Sequence, residues 1–122
     1  MTEDDLQVAI TDMAVVLGWH WLHVGALRTK YGWKTPTRGT LAAWPDLTLA
    51  RERDGRLIFA ELKRQVEEPR ADQQAVLDTL EAVADVIHRV SDAPLRRVAV
   101  HVWRPSDLRD PIESSPIYEV LR

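Results

Sequence analysis

Pro45-Asp46-Leu47-Thr48-Leu49-Ala50 and, past a turn signal at Asp54-Gly55, Leu57-Ile58-Phe59-Ala60-Glu61-Leu62-Lys63 read as two strands of one hairpin. Both runs are short and apolar, and Asp-Gly between such runs is a strong hairpin signal. Pro45 stands just ahead of the first run, where its missing amide donor costs least. Side chains alternate across a strand, so Ile58, Ala60 and Leu62 take one face, expected to bury against a helix. Glu61 and Lys63 share the other face. Asp46 falls at the open end of its strand, beside the end of the partner that carries Glu61 and Lys63. Two carboxylates and an ammonium are thus expected to converge on one spot.

The flanking segments supply the rest of a small α/β domain. Upstream, Leu6, Ile10, Met13 and Leu17 form one apolar helical stripe over Thr2 to Leu17. Thr2 can cap that helix, Glu3, Asp4 and Asp5 favour its positive end, and Gly18 is its stop. Trp19 to Val24 suits a strand, and Trp19, Trp21 and Trp44 read as core or interface residues. Gly25 to Ala43 has no period and no acidic residue, and it reads as a long basic loop carrying Arg28, Lys30, Tyr31, Trp33, Lys34 and Arg38. Long loops in compact domains are usually functional. Downstream, Val76, Leu77, Leu80, Val83, Ile87 and Val90 mark a helix over Asp72 to Val90, with Asp72 as its expected N-cap. Arg97 to Trp103 reads as a further strand, Pro105 to Leu108 as the start of a short helix, and Ile117 to Leu121 as a short terminal strand or helix. Helix, strand, hairpin, helix, strand predicts a mixed sheet flanked by helices.

Composition narrows the class. The chain has 122 residues, 45% hydrophobic and 29% charged, which fits one domain over 1–122 with a core of its own. It has no cysteine, which excludes disulfide scaffolds, thiol catalysis and cysteine-based metal sites. No apolar run is long enough to span a bilayer, and Met1-Thr2-Glu3-Asp4-Asp5 lacks the order of a secretory signal. A cytoplasmic protein without membrane contact is expected. The formal net charge of −3 offers no bulk attraction to nucleic acid, so any such attraction must be local.

Carboxylates beside a lysine suit one chemistry in particular. Hydrolysis of a phosphodiester adds water to a centre already surrounded by negative oxygens. A hard divalent cation held by carboxylates neutralises that charge and acidifies a bound water. The lysine can orient or deprotonate the water, or hold charge on the phosphorus. An exposed strand face with a cross-strand ion pair would use the same residue types, but an apolar run that switches abruptly to Glu-x-Lys fits a site at a sheet's rim.

Pro45-Asp46, fourteen intervening residues and then Glu61-Leu62-Lys63 resembles the signature of the PD-(D/E)XK nuclease superfamily. The fuller resemblance is to its VRR-NUC branch, and it covers nearly the whole chain. It includes Trp44-Pro45-Asp46-Leu47, Leu57 to Lys63, Gln73 with Leu77 and Leu80, and Val102-Trp103-Arg104-Pro105-Ser106-Asp107-Leu108. The resemblance implies a restriction-endonuclease-like core (αβββαβ) and an Mg²⁺- or Mn²⁺-dependent endonuclease that hydrolyses DNA. It implies metal ligation by Asp46, Glu61 and the backbone carbonyl of Leu62, and a catalytic role for Lys63. Gln73 matches the glutamine directed toward the site, with Gln74 as the alternative register. Glu3 resembles the first-helix acid that adds a metal or water contact, and Asp4 or Asp5 could take its place. Ala43 departs from the glycine common at that position.

A minimal domain of this kind points to structure-selective cleavage of branched, flap or junction DNA, as in Holliday junction resolvases. A homodimer is expected by the same analogy, with no organic cofactor. Such stand-alone domains occur in phages and bacteria, which would place the protein in the cytoplasm, that of the host if phage-encoded. In the basic loop, cations would track phosphates while Tyr31 and Trp33 stack on unpaired bases. A catalytically silent nucleic-acid-binding module on the same fold is the alternative. Of the four histidines only His20 and His23 lie close, and a strand would turn them to opposite faces, against a zinc site.

Overall fold

A computed structural model describes residues 1–25, 27–34 and 37–122. It is a mixed α/β structure in which a four-stranded sheet of order β1-β4-β5-β6 lies between helices. Helix α1 (Glu3–Val16) opens the chain with a reciprocal cap: Asp5 N–H donates to Thr2 Oγ1 at 3.1 Å and Thr2 N–H to Asp5 Oδ2 at 3.0 Å. Gly18, at φ 87°, turns the chain out of the helix as a C-terminal glycine does. Strand β1 (His20–His23) then pairs antiparallel with β4 (Leu47–Arg51), which pairs antiparallel with β5 (Arg56–Leu62). Helix α2 (Ala71–Ser91) carries the chain across to β6 (Val98–Trp103), parallel to β5, and α3 (Pro116–Leu121) closes it.

The alternation along β5 sorts its two faces as the sequence predicts. Ile58, Ala60 and Leu62 are buried in a cluster with Leu6, Ile10, Met13 and Ala14 of α1 and Ile117 and Leu121 of α3. Phe59 points the other way and packs under Val76 and Leu80 of α2. Arg51 fastens the first layer. Its guanidinium donates to the carbonyls of Leu17, Leu121 and Arg122, pairs with Asp54 and lies 4.6 Å from the Trp19 ring. A buried cation on carbonyls at the ends of α1 and α3 satisfies acceptors that the helices leave unpaired.

Two expectations are corrected. The stretch 25–43 is not wholly loop: β2 (Leu27–Thr29) and β3 (Gly32–Lys34) form an antiparallel hairpin of their own. Three-residue strands are too short to show a period, and Gly32 at φ 110° follows the Lys30-Tyr31 turn. Asp72 is not the N-cap of α2, which Arg70 precedes. Gln73 Oε1 instead accepts the Arg70 N–H at 2.9 Å. Along α2, Val76, Leu77, Leu80 and Ala84 are buried, whereas Val83, Ile87 and Val90 are exposed. Trp21 is likewise 45% exposed on the edge strand, whereas Trp19 is buried. The C-terminal segment, open between strand and helix in the sequence, is the helix α3. Among the described residues no helix is long and apolar enough to cross a membrane.

Candidate active site

The sheet places a cleft of about 800 Å³ at the carboxyl end of β5, between the first turns of α1 and α2. Its floor is Asp46, Glu61, Leu62 and Lys63. Leu47 pairs with Ala60, so Asp46, one residue earlier, stands against Glu61 and Leu62. The Leu62 N–H donates to Asp46 Oδ2 at 2.8 Å, which fixes that carboxylate at the rim of the sheet. The Leu62 side chain is buried on the opposite face, so its backbone is what borders the cleft. Lys63 N–H donates to the Trp103 carbonyl of β6 at 3.0 Å and continues the strand by one residue. Lys63 is only 6% exposed, and its Nζ stands 3.5 Å from Glu61 Oε1. The three ionisable groups that lie apart in sequence therefore share one cavity.

Glu61 carries the electrostatic load. It is 1% exposed. Oε1 accepts from Gln73 Nε2 at 3.1 Å and faces Lys63, while Oε2 is buried with no donor at all. Burial, reinforced by the Asp46 carboxylate, pushes Glu61 up to about 8 against the opposing pull of the Lys63 ammonium. A buried carboxylate oxygen without a partner is costly, and a cation is the group that would relieve both it and the repulsion from Asp46. Asp46, Glu61 and the Leu62 backbone thus make an all-oxygen donor set that fits a hard divalent ion. Among the described residues no group of three or more His, Asp or Glu side chains forms a fuller cage.

The alternatives left open by the sequence separate here. Gln73 faces Glu61, whereas Gln74 is exposed and donates to Asp78 at 2.8 Å. Glu3 and Asp4 line the cleft, but Asp5 is spent on the helix cap. Burial raises the Glu3 carboxyl above the usual range, and the neighbouring Glu67 adds to the effect. Ala43 lines the same cleft.

Two lining residues escaped the sequence reading, Glu67 and Arg70. Glu67 Oε1 lies 3.6 Å from Lys63 Nζ. A lysine followed four residues later by a glutamate was the available signal, but nothing in the pattern said that the chain would turn back. Among the described lining residues, six carboxyl side chains (Glu3, Asp4, Asp46, Glu61, Glu67 and Asp72) face two basic ones, Lys63 and Arg70. That imbalance favours cations over anions as the first occupant.

Of the hairpin, the described residues Lys30 and Tyr31 do not line the cleft. Lys30 Nζ sits 5.0 Å from the centre of the Tyr31 ring at the β2–β3 turn, and Tyr31 is 79% exposed. Arg38 is exposed as well. The side chains of Arg28, Trp33 and Lys34 fall outside the described residues. Thr37, Ala42 and Trp44, which follow the hairpin, border the cleft. No family model, curated protein or solved structure matches this chain.

Proposed function

We propose that the chain is a divalent-cation-dependent phosphodiesterase on a restriction-endonuclease-like core. More narrowly, it is a DNA endonuclease of the VRR-NUC kind that selects branched, flap or junction substrates. The observation that carries the reading is Glu61: a buried carboxylate with one donorless oxygen, set between Asp46 and Lys63 at the floor of an acidic cleft.

Bound Mg²⁺ or Mn²⁺ would supply charge neutralisation at the phosphate and an acidified water. The protein's own groups have separate tasks. Asp46 is oriented by the Leu62 N–H, so its carboxylate is fixed before substrate arrives. Gln73 holds Oε1 of Glu61, and its own Oε1 is tied to the Arg70 N–H, which locks the amide orientation. Lys63 is a pure donor at Nζ and offers its hydrogens to a phosphoryl oxygen or to the attacking water, where charge develops. The described cations near the hairpin, Lys30 and Arg38, would take phosphates away from the acidic floor, and Tyr31 presents a face for an unpaired base.

The test is a cleavage panel of linear duplex, single strand, flap, splayed arm and four-way junction, with and without Mg²⁺ or Mn²⁺, run beside Lys63→Ala. Metal-dependent cutting of branched forms that disappears in the variant is the expected result. Undiminished cutting by Lys63→Ala overturns the role given to that lysine. Binding without any cutting points to the silent module instead. A four-way junction requires two symmetric cuts, so cleavage of that substrate would come with a dimer, measurable by light scattering.

A further inference from the structure

Beyond Lys63 the chain makes a short turn, in which the Glu67 N–H donates to the Arg64 carbonyl at 3.1 Å. The turn is bolted to the segment after β6. Gln65 Nε2 donates to Ser106 Oγ at 2.9 Å, and the Ser106 N–H returns a bond to Gln65 Oε1 at 3.0 Å. Arg104 Nη2 donates to the Glu67 carbonyl at 3.0 Å and pairs with Glu68 at 3.1 Å. Within this clasp the two oxygens of Glu67 have different work. Oε2 takes both Arg64 Nε at 3.2 Å and Nη2 at 2.8 Å, and Oε1 is turned to Lys63 Nζ at 3.6 Å.

We infer that Glu67 is a positioning residue for Lys63: its carboxylate, held by Arg64 on a turn whose backbone the Arg104–Ser106 segment fastens, keeps the lysine ammonium over the cleft floor. The inference rests on the reading of Lys63 as the catalytic lysine. Among the described residues only Glu61 and Glu67 pair with that ammonium. A cation held at Glu61 Oε2 would draw that carboxylate's charge away from the lysine at Oε1, and Glu67, outside the proposed donor set, would be the remaining anionic anchor. An unanchored four-carbon side chain samples many rotamers, and a reacting group displaced by about 1 Å can lose a hundredfold in rate. The same contacts give Arg104 and Ser106 a function, since they keep the turn in register with the strand that carries the lysine.

The experiment compares wild type, Glu67→Gln and Glu67→Asp in two measurements. The first is lysine acylation of metal-free protein, read by mass spectrometry with Lys30 as the internal reference. Glu67→Gln is expected to raise Lys63 labelling several-fold, and Glu67→Asp, which keeps the charge, to restore part of the protection. The second is cleavage with Mg²⁺ under saturating and limiting substrate. Glu67→Gln is expected to lower kcat by about tenfold to a hundredfold, with KM nearly unchanged and partial recovery in Glu67→Asp. Unchanged Lys63 labelling in Glu67→Gln overturns the inference, as does a defect confined to KM. Labelling that rises while wild type cuts no substrate supports the anchor and overturns the nuclease reading instead.

Discussion

Replacing Glu61 by glutamine in metal-free protein separates the cost of the site from the stability of the fold. The folded protein holds the Glu61 proton more tightly than the unfolded chain does, because burial and Asp46 raise its carboxyl from 4.5 to about 8. Its stabilising contribution is therefore fully present below the unfolded value and is lost as pH rises through the folded one. At about 1.4 kcal/mol per pKa unit the whole difference is roughly 5 kcal/mol, of which roughly 4 kcal/mol falls between pH 5 and 8.5. Solvent entering the open side of the cleft reduces this, and ~2–4 kcal/mol is the expected decrease for wild type over that range. Glutamine has the same shape, keeps an acceptor for Gln73 Nε2, and replaces the donorless Oε2 by an amide N–H that the neighbouring Asp46 carboxylate can accept. Glu61→Gln should accordingly be more stable than wild type at pH 8.5, and flatter with pH by that same amount. Urea unfolding in EDTA, followed by tryptophan fluorescence at pH 5, 7 and 8.5, reads the difference directly. Excess Mn²⁺ at a hundred times its dissociation constant should return about 2.7 kcal/mol to wild type and almost nothing to the variant. Parallel stability–pH curves for the two proteins would refute the electrostatic account of the site.

Other perturbations address the frame and the substrate. Arg51→Met leaves the Leu17 and Arg122 carbonyls and Asp54 without this donor, while Leu121 keeps Trp19 Nε1, and should cost ~2–4 kcal/mol in chemical unfolding. Gln73→Ala removes both the bond to Glu61 and the acceptor for the Arg70 N–H; destabilisation by ~1–2 kcal/mol together with slower cleavage is expected. Lys30→Ala with Arg38→Ala should weaken DNA binding evenly across sequences and lower the slope of log K against log salt by roughly 0.7–0.9 for each phosphate no longer neutralised. An unchanged salt slope would remove those two residues from the nucleic-acid interface.

The elements that follow a hydrophobic period were legible in the sequence. Leu6, Ile10 and Met13 fall on one side of α1 and are buried there, and Ile58, Ala60 and Leu62 go to the face opposite Glu61. The hairpin that brings Asp46 to Glu61 was legible too from its Asp-Gly signal, although the connection is a 3-10 turn over Glu52–Asp54 closed by left-handed Gly55. What the sequence hid has physical causes. β2 and β3 are three residues each, below the length at which alternation speaks. Periodicity reports which side of a helix is apolar, not whether a neighbour covers it: Val83, Ile87 and Val90 belong to the stripe that marks α2 and are exposed. The N-cap of α2 was misread because a glutamine three residues on accepts the N–H of the residue preceding the helix, a task usually shared with an acidic or hydroxyl cap.

The site itself was visible for the opposite reason, as a break in pattern. In a strand built only for packing, the positions of Glu61 and Lys63 would carry apolar residues on the face that Phe59 begins. Burying these charges at 1% and 6% exposure works against folding and makes sense only where another task outweighs it. Glu67 breaks no pattern. It sits in a polar turn where a glutamate is ordinary, and its relation to Lys63 exists only because Gln65, Arg104 and Ser106 fold that turn back on the strand. Sequence reasoning finds charges that a regular element should not contain; those delivered by tertiary contacts from an irregular segment require coordinates.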